Sequence, residues 1–177
     1  MSAQERPSAA RAGHEELVAV VLLDLPVAIW ERADDEARDL MRELAVIALN
    51  RDREVADVPS QLMDLIEELE RDYGAIGHDQ ARRLAAARAA GESVIDRLEY
   101  RLPRRSAADI RRLAEALDAA DEYCRQGEHL LSVATSAPSK AFRHWFLGEL
   151  ITQLAGGTPT PWPLSRFAAI AHEVVGE

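Results

Sequence analysis

The chain has 177 residues and a formal charge of −10, with 47% hydrophobic and 29% charged residues. This length predicts one domain, and the composition is typical of a helical globular protein rather than a disordered or fibrous one. The negative charge disfavours nucleic acid and anionic membranes as partners, and a single cysteine, Cys124, excludes an intramolecular disulfide framework. We therefore expect a cytoplasmic protein.

Residues 1–13 lack the apolar core of a secretory signal, and we expect a disordered arm there, ahead of one domain over 14–177. The apolar run Leu17–Leu23 is rich in β-branched residues and predicts a buried strand with two apolar faces. Pro26 then opens a long helix, which the spacing of apolar residues extends to about Asn50. No stretch is apolar over the roughly 20 residues that a membrane-spanning helix needs.

Two further helices are predicted over about 59–74 and 78–90, and the second of them is rich in alanine. Alternating apolar and polar residues over 94–102 predict a strand with one solvent-facing side, which is typical of a sheet edge. Ser106, followed by Asp109 at the capping-box position, predicts the start of a fourth long helix.

The last part of the chain is predicted to be helical apart from one proline-rich segment. A short helical turn is expected at 129–134, and Pro138 opens an aromatic helix that a glycine pair ends. The prolines of 158–163 require an extended segment, and a terminal helix is expected over 165–175. The expected class is therefore mainly α (α+β), with six or seven helices and a short two-stranded sheet.

When the sequence is compared with itself, Leu25-Pro26 aligns with Leu102-Pro103. The alignment relates two strand–helix units, residues 16–50 and 93–126, although the identities are few. One explanation is an ancestral duplication, in which the two strands pair about a pseudo-twofold axis. The other is that such units recur by chance, and the sequence leaves both open.

No cluster of residues indicates an enzyme. The five histidines lack the spacing of a helical metal site, no serine lies in a nucleophile elbow, and no glycine-rich phosphate loop occurs. We therefore assign no catalytic residue, metal ligand or cofactor, and enzymatic activity is the less favoured interpretation.

Arginines crowd the second strand and the start of the helix after it, where they form a local basic patch. A helix start beside arginines suits a phosphate or an acidic partner surface, although nearby carboxylates would neutralise it. We take Arg101, Arg104 and Arg105 as candidate partner-binding residues. Trp162 joins them as a rigid, partly exposed aromatic residue between prolines, and its alternative role is in a strap over the protein's own core.

The aromatic helix supplies a second group of candidates. Arg143, Trp145 and Glu149 are candidate pocket or structural residues. A pocket between this helix and the Pro-Trp-Pro segment would take its polar groups from Arg143, His144 and Glu149.

Three stretches together resemble a set of small actinobacterial proteins of unassigned chemistry. They are Leu25-Pro26-Val-Ala-Ile-Trp30, Asp121-Glu122-x-Cys124-Arg125, and Phe142-Arg143-x-Trp145-x-Leu147-Gly148-Glu149 running into Pro159-Thr-Pro-Trp-Pro163. Members look like companions of the anti-sigma-factor kinases, phosphatases and antagonists of partner-switching stress signalling. The resemblance implies a regulatory role beside such kinases and carries over no active residue.

The favoured hypothesis is a non-enzymatic protein-interaction or regulatory module of bacterial signalling or transcriptional control, partnered by a regulator or kinase-like protein and forming a homodimer. The alternative is a small-molecule or nucleotide-binding protein, or an enzyme with an unrecognised pocket around the aromatic helix. A third, weaker hypothesis is a helix-turn-helix DNA-binding regulator, which the charge of −10 disfavours.

Overall fold

The computed structural model describes residues 16–49, 57–73, 77–125 and 135–163. The described ranges contain a two-stranded antiparallel sheet and five helices. In chain order the elements are β1 (Leu17–Pro26), α1 (Val27–Leu49), α2 (Asp57–Tyr73), α3 (His78–Ala90), β2 (Val94–Pro103), α4 (Ser106–Arg125) and α5 (Ala137–Leu154).

The mainly helical class and the short sheet are therefore confirmed. Six or seven helices are not, because the described residues contain five. The predicted turn at 129–134 and the predicted terminal helix at 165–175 lie outside the described residues, as does the expected arm at 1–13. Within the described ranges, every helix is too short or too polar to cross a membrane.

The two strands pair antiparallel along their whole length. Leu17 lies opposite Pro103 at one end, and Pro26 lies opposite Val94 at the other. The two strands of the sheet are therefore those of the two strand–helix units, 16–50 and 93–126, that align when the sequence is compared with itself. Pairing alone does not establish a duplication, which stays a hypothesis.

The alternating pattern of β2 is confirmed in the middle of the strand and fails at its start. Leu98 is buried and Arg97 is exposed, as predicted. Ile95, assigned to the polar face, is instead 1% exposed and packs with Leu84 of α3. On the opposite strand the pairing passes over Asp24, which has φ of 55°, a left-handed conformation that aspartate tolerates better than most residues.

The expectation that β1 is buried on both faces is wrong for its first residues. Val20 and Leu22 are fully buried, whereas Leu17 is 56% exposed and Ala19 is exposed. The physical reason is that α5 packs on β1, so the apolar side of the strand that faces α5 is covered more completely than its first outward-facing residues.

The four long helices form a closed ring. Both α1 and α4 pack against α2, and both also pack against α5. The helix α5 additionally packs on β1, whereas the alanine-rich α3 lies against β2 and α1. The centre of the ring is therefore enclosed by side chains from four helices, which determines where a cavity can form.

The ends of α5 follow from local sequence. Ser136 caps the first turn, where its hydroxyl accepts the backbone N–H of Ser139. Gly156 ends the helix with φ of 93°, a conformation that glycine adopts without steric cost. Ser106, expected as the cap of α4, is instead the first residue of that helix, and its buried hydroxyl donates to the carbonyl of Pro103 at 2.6 Å.

Candidate functional site

A cavity of about 330 Å³ lies in the centre of the four-helix ring. One wall is aromatic and consists of Trp30, Phe142 and Phe146, which belong to or pack against the core around the sheet. The opposite wall is aliphatic. It consists of Leu40, Met41, Ile66, Leu113 and Leu117. The cavity therefore separates two parts of the hydrophobic core.

The helical repeat explains why these residues face one space. The lining positions of α1 start at Trp30, Ala33, Asp34 and Ala37, the spacing that places side chains on one face of a helix. The two alanines leave room there that a larger side chain would fill. Since the lining of α1 continues to Met41, the cavity extends over roughly 16 Å of helix at 1.5 Å per residue.

Arg143 is a polar lining residue and the centre of an ion-pair network between α4 and α5. Its side chain is 14% exposed, and its Nη2 lies 2.8 Å from Asp118 Oδ1 and 2.6 Å from Asp121 Oδ2. Lys140 Nζ lies 3.4 Å from Asp121, and His144 Nε2 lies 2.8 Å from Asp118. The guanidinium charge is thus already balanced by two carboxylates.

Both carboxylates of this network are stabilised in their charged form. Burial raises the pKa of Asp121, but hydrogen bonds from Arg143 and Thr135 and the nearby positive charges outweigh burial and lower that pKa overall. The pKa of Asp118 is lowered in the same way, with burial opposed by His144 and Arg143. The two carboxylates are therefore ionised near neutral pH.

The remaining polar groups of the cavity wall are also engaged. Asp34 pairs with Arg38 on the same helix. The Thr135 hydroxyl donates to Asp121 at 2.8 Å, and the Ser139 hydroxyl accepts a hydrogen bond from the Ser136 hydroxyl at 3.0 Å. The cavity wall is therefore mainly apolar, and its polar atoms are bonded to other protein groups except Arg143 Nε, which is buried without a hydrogen-bond partner.

Glu149, the second candidate on α5, lies away from the cavity and holds the proline-rich segment. It is 7% exposed, and its Oε2 accepts hydrogen bonds of 2.9 Å from Gln153 Nε2 and from the backbone N–H of Thr160. Trp145, the third candidate, donates its indole N–H to the carbonyl of Thr160 at 3.1 Å. Both side chains thus fix residues 158–163 against α5.

Trp162 is buried, which corrects the expectation of a partly exposed anchor. It is 3% exposed, and its ring lies 5.5 Å from that of Phe142 and 5.2 Å from that of Trp145, measured between centroids. Its backbone N–H donates to the carbonyl of Leu23 at 3.0 Å. The strap over the core, the alternative that the sequence left open, is what the structure shows.

The strap and α5 also cover the outer edge of β1. Gln153 uses both atoms of its side-chain amide, accepting from the N–H of Val21 and donating to its carbonyl, each at 2.8 Å. Together with the bond from Trp162 to Leu23, these contacts satisfy backbone groups that a two-stranded sheet would otherwise leave open.

The candidate arginines lie at the end of β2 and are largely paired. Arg101 is 75% exposed and lies 3.5 Å from Glu99. Arg104 pairs with Glu16 and donates to the carbonyl of Leu154 at 2.7 Å. Arg105 is exposed. The neighbouring carboxylates thus reduce the basic character of the patch that the sequence suggested.

The structure separates the polar groups that the sequence assigned to one pocket. Arg143 lines the cavity, whereas Glu149 holds the strap and His144 is half exposed beside Asp118. The cavity lies on the side of α5 that faces the other long helices, and Trp162 fills the side that faces the strap. Sequence reasoning missed the alanine positions of α1 and the part that Trp30 plays in the wall.

Among the described residues, no group of three or more histidine, cysteine, aspartate or glutamate side chains is placed to hold a metal ion. No family model, no curated protein and no solved structure matches the chain. The resemblance to proteins of partner-switching systems therefore stays an expectation, and the cavity is the site from which a function is argued.

Proposed function

We propose that the protein binds a small, mainly apolar molecule in the partly open cavity between α1, α2, α4 and α5. The observation that carries this proposal is the cavity itself, about 330 Å³ between two apolar walls. The cavity is partly open to solvent, since the lining residue Ala37 is exposed, so a ligand can enter it without unfolding the chain. Its volume lies at the lower end of the range typical of small-molecule sites.

The arrangement of side chains supports binding. Three aromatic rings on one wall present flat apolar surfaces, and the aliphatic wall faces them across the space. A ligand between the walls would regain the dispersion contacts that the empty space lacks and would shield apolar side chains from water. The proposal therefore requires no catalytic group.

A fluorescent dye tests the proposal. The neutral dye N-phenyl-naphthylamine, which brightens in apolar surroundings, should bind the full chain at saturable stoichiometry. Ala37→Phe adds a ring at an exposed lining position of α1 and should weaken binding at least about tenfold, a loss of about 1.4 kcal/mol. The matched control is Ala28→Phe, an exposed alanine of α1 outside the cavity, which should bind as the wild type does.

A second candidate function is the regulatory module that the sequence favours. Its specific observation is the outward side of the sheet, where Leu17 is 56% exposed at the start of β1. Arg101 is exposed opposite Ala19, two residues further along, and Arg97 is exposed opposite Leu23, toward the other end of the strand. We propose that a regulator or kinase-like protein of a partner-switching system docks there, in the cytoplasm. A homodimer through the same strands belongs to this proposal.

Charge reversal separates the two candidates. If a partner docks on the sheet, Arg101→Glu should weaken the complex with a purified kinase-like partner, and Leu17→Asp should do the same. Arg82→Glu, an exposed arginine of α3, is the matched control and should have no effect. Sedimentation velocity of the wild type tests the homodimer, and a single monomeric species would contradict it.

We also propose the ancestral duplication as the origin of the fold. Two features support it: β1 and β2 have equal lengths and pair with each other, and α1 and α4 each follow a strand and pack on the same two helices. A set of diverse relatives tests it, because separate alignments of residues 16–50 and 93–126 should match each other. Two unrelated alignments would favour chance recurrence.

A further inference from the structure

The charges around the cavity are already neutralised within the protein. Arg143 shares its guanidinium between Asp118 and Asp121, at 2.8 and 2.6 Å. Asp34, the carboxylate on the lining, pairs with Arg38. Neither charged residue of the wall therefore needs an ion from outside to balance it.

We infer that the cavity takes a neutral, elongated, hydrocarbon-rich ligand and rejects anions and cations of the same shape. This inference rests on the proposed function and names the ligand class of the same site. A ligand carboxylate placed near Arg143 would also lie near the two carboxylates that Arg143 already holds. A ligand ammonium would lose its hydration and find both carboxylates already paired with Arg143, so either ion would be buried without adequate compensation.

The same geometry argues against the nucleotide suggested as an alternative ligand. A phosphate group requires several hydrogen-bond donors that are not already bonded within the protein, such as those of a basic cluster or a glycine-rich loop. Here the Thr135 hydroxyl already donates to Asp121, and Arg143 Nη2 already donates to both Asp118 and Asp121. The buried Nε of Arg143, which has no hydrogen-bond partner, is a single donor, whereas a phosphate group requires several.

The dimensions of the cavity define the ligand further. The lining follows α1 from Trp30 to Met41, roughly 16 Å of helix, while its aromatic and aliphatic walls face each other. A compact, round molecule would leave part of this length empty. A fused ring or a ring with an apolar chain fits both walls, because aromatic side chains contact rings at favourable offset and edge geometries.

Three probes of one shape and different charge test the inference by calorimetry on the full chain. They are the methyl ester of naphthoic acid, naphthoate itself, and naphthylmethylammonium. The ester should bind, and both ions should bind at least about tenfold more weakly, a difference of about 1.4 kcal/mol. Equal affinities, or tighter binding of either ion, would overturn the inference while leaving the proposed function intact.

Removal of one counter-charge provides the second test. Asp121→Asn leaves Arg143 with less compensation, so the affinity for naphthoate should rise severalfold while that for the ester stays unchanged. Asp118→Asn, at a carboxylate that is 47% exposed, should act in the same direction and should fold as the wild type does because of that exposure. Glu115→Gln, an exposed carboxylate on the same helix, is the matched control and should change neither affinity.

The outcomes separate the inference from the proposal beneath it. Binding of the ester with the expected response to Asp121→Asn supports both. Binding of all probes without that response overturns the inference alone. No binding by any probe contradicts the proposed function and the inference with it.

Discussion

Gln153 of α5 behaves toward Val21 as a neighbouring strand would. Its side-chain amide accepts the N–H of Val21 and donates to the carbonyl of the same residue, both at 2.8 Å and both buried. One side chain therefore satisfies two backbone groups on the outer edge of β1. It also joins the sheet to the helix that forms part of the cavity wall.

The first prediction concerns this pair. Gln153→Leu keeps the size of the side chain but leaves two buried backbone groups of Val21 without partners, and should lower the free energy of unfolding by about 3 kcal/mol. Urea unfolding measures the change. Thr152→Ala, at the exposed neighbouring position, is the control, and a loss below about 1 kcal/mol for Gln153→Leu would show that the amide is not holding the edge.

The second prediction concerns Trp162. Because it is 3% exposed and packs against Phe142 and Trp145, Trp162→Ala should cost about 3–5 kcal/mol of unfolding free energy. Trp162→Phe should cost less, since a ring remains in the site. A Trp162→Ala protein as stable as the wild type would mean that the strap is not docked in solution.

The third prediction concerns Arg143. Arg143→Met retains the apolar stem but leaves Asp118 and Asp121 close together without their shared cation. The partly buried network should lose about 2 kcal/mol of stability, less than a fully buried pair. The double variant Arg143→Met/Asp121→Leu should recover part of this loss, and strictly additive effects of the two substitutions would contradict a direct pairing.

The fourth prediction concerns pH. The pKa of Asp121 is lower in the folded chain than its ordinary value of 3.8, so the folded state binds this proton less readily than the unfolded state does. The resulting stabilisation is present above the unfolded pKa and is lost as pH falls through the folded value. Asp121→Asn should therefore flatten the decline of stability below about pH 4, measured by thermal unfolding. An unchanged pH profile would show that Asp121 does not contribute to the loss of stability at low pH.

The fifth prediction concerns Cys124. Burial raises the pKa of its thiol, and the charges of Asp121 and Glu43 raise it further, so little thiolate exists near neutral pH. Alkylation by iodoacetamide should be several times slower for the folded chain than for the urea-unfolded chain at about pH 8. Equal rates, read by mass spectrometry, would show that the thiol is not shielded.

Local patterns were sufficient to predict most elements of the fold. The apolar run of β1, the alternation of β2 and the prolines and glycines at helix ends are short-range signals, and the elements lie within about three residues of where these signals place them. The prolines set the bounds less accurately, because Pro26 ends β1 instead of opening α1, and α2 begins at Asp57, before Pro59. The predictions that were wrong concern burial, which depends on contacts between residues far apart in the sequence. The burial of Ile95 depends on α3, and the exposure of Leu17 depends on which side of β1 the helix α5 covers.

The candidate site was predicted only in part, for a similar reason. The sequence identified Arg143 and Glu149 on the aromatic helix, but it placed them in one pocket. Their spacing puts them roughly 120° apart around a helix, so a check of the helical repeat would have separated them. The cavity itself could not be predicted, because it depends on how four helices leave space beside Ala33 and Ala37.

The most direct test of the central claim is to locate a bound neutral ligand by nuclear Overhauser effects in the full chain. With the methyl ester of naphthoic acid, we expect contacts from the naphthalene protons to the ring of Trp30 on α1 and to the methyl groups of Leu117 on α4, both of which line the cavity. Contacts confined to Leu17 or to other exposed side chains, with none to these two residues, would contradict it.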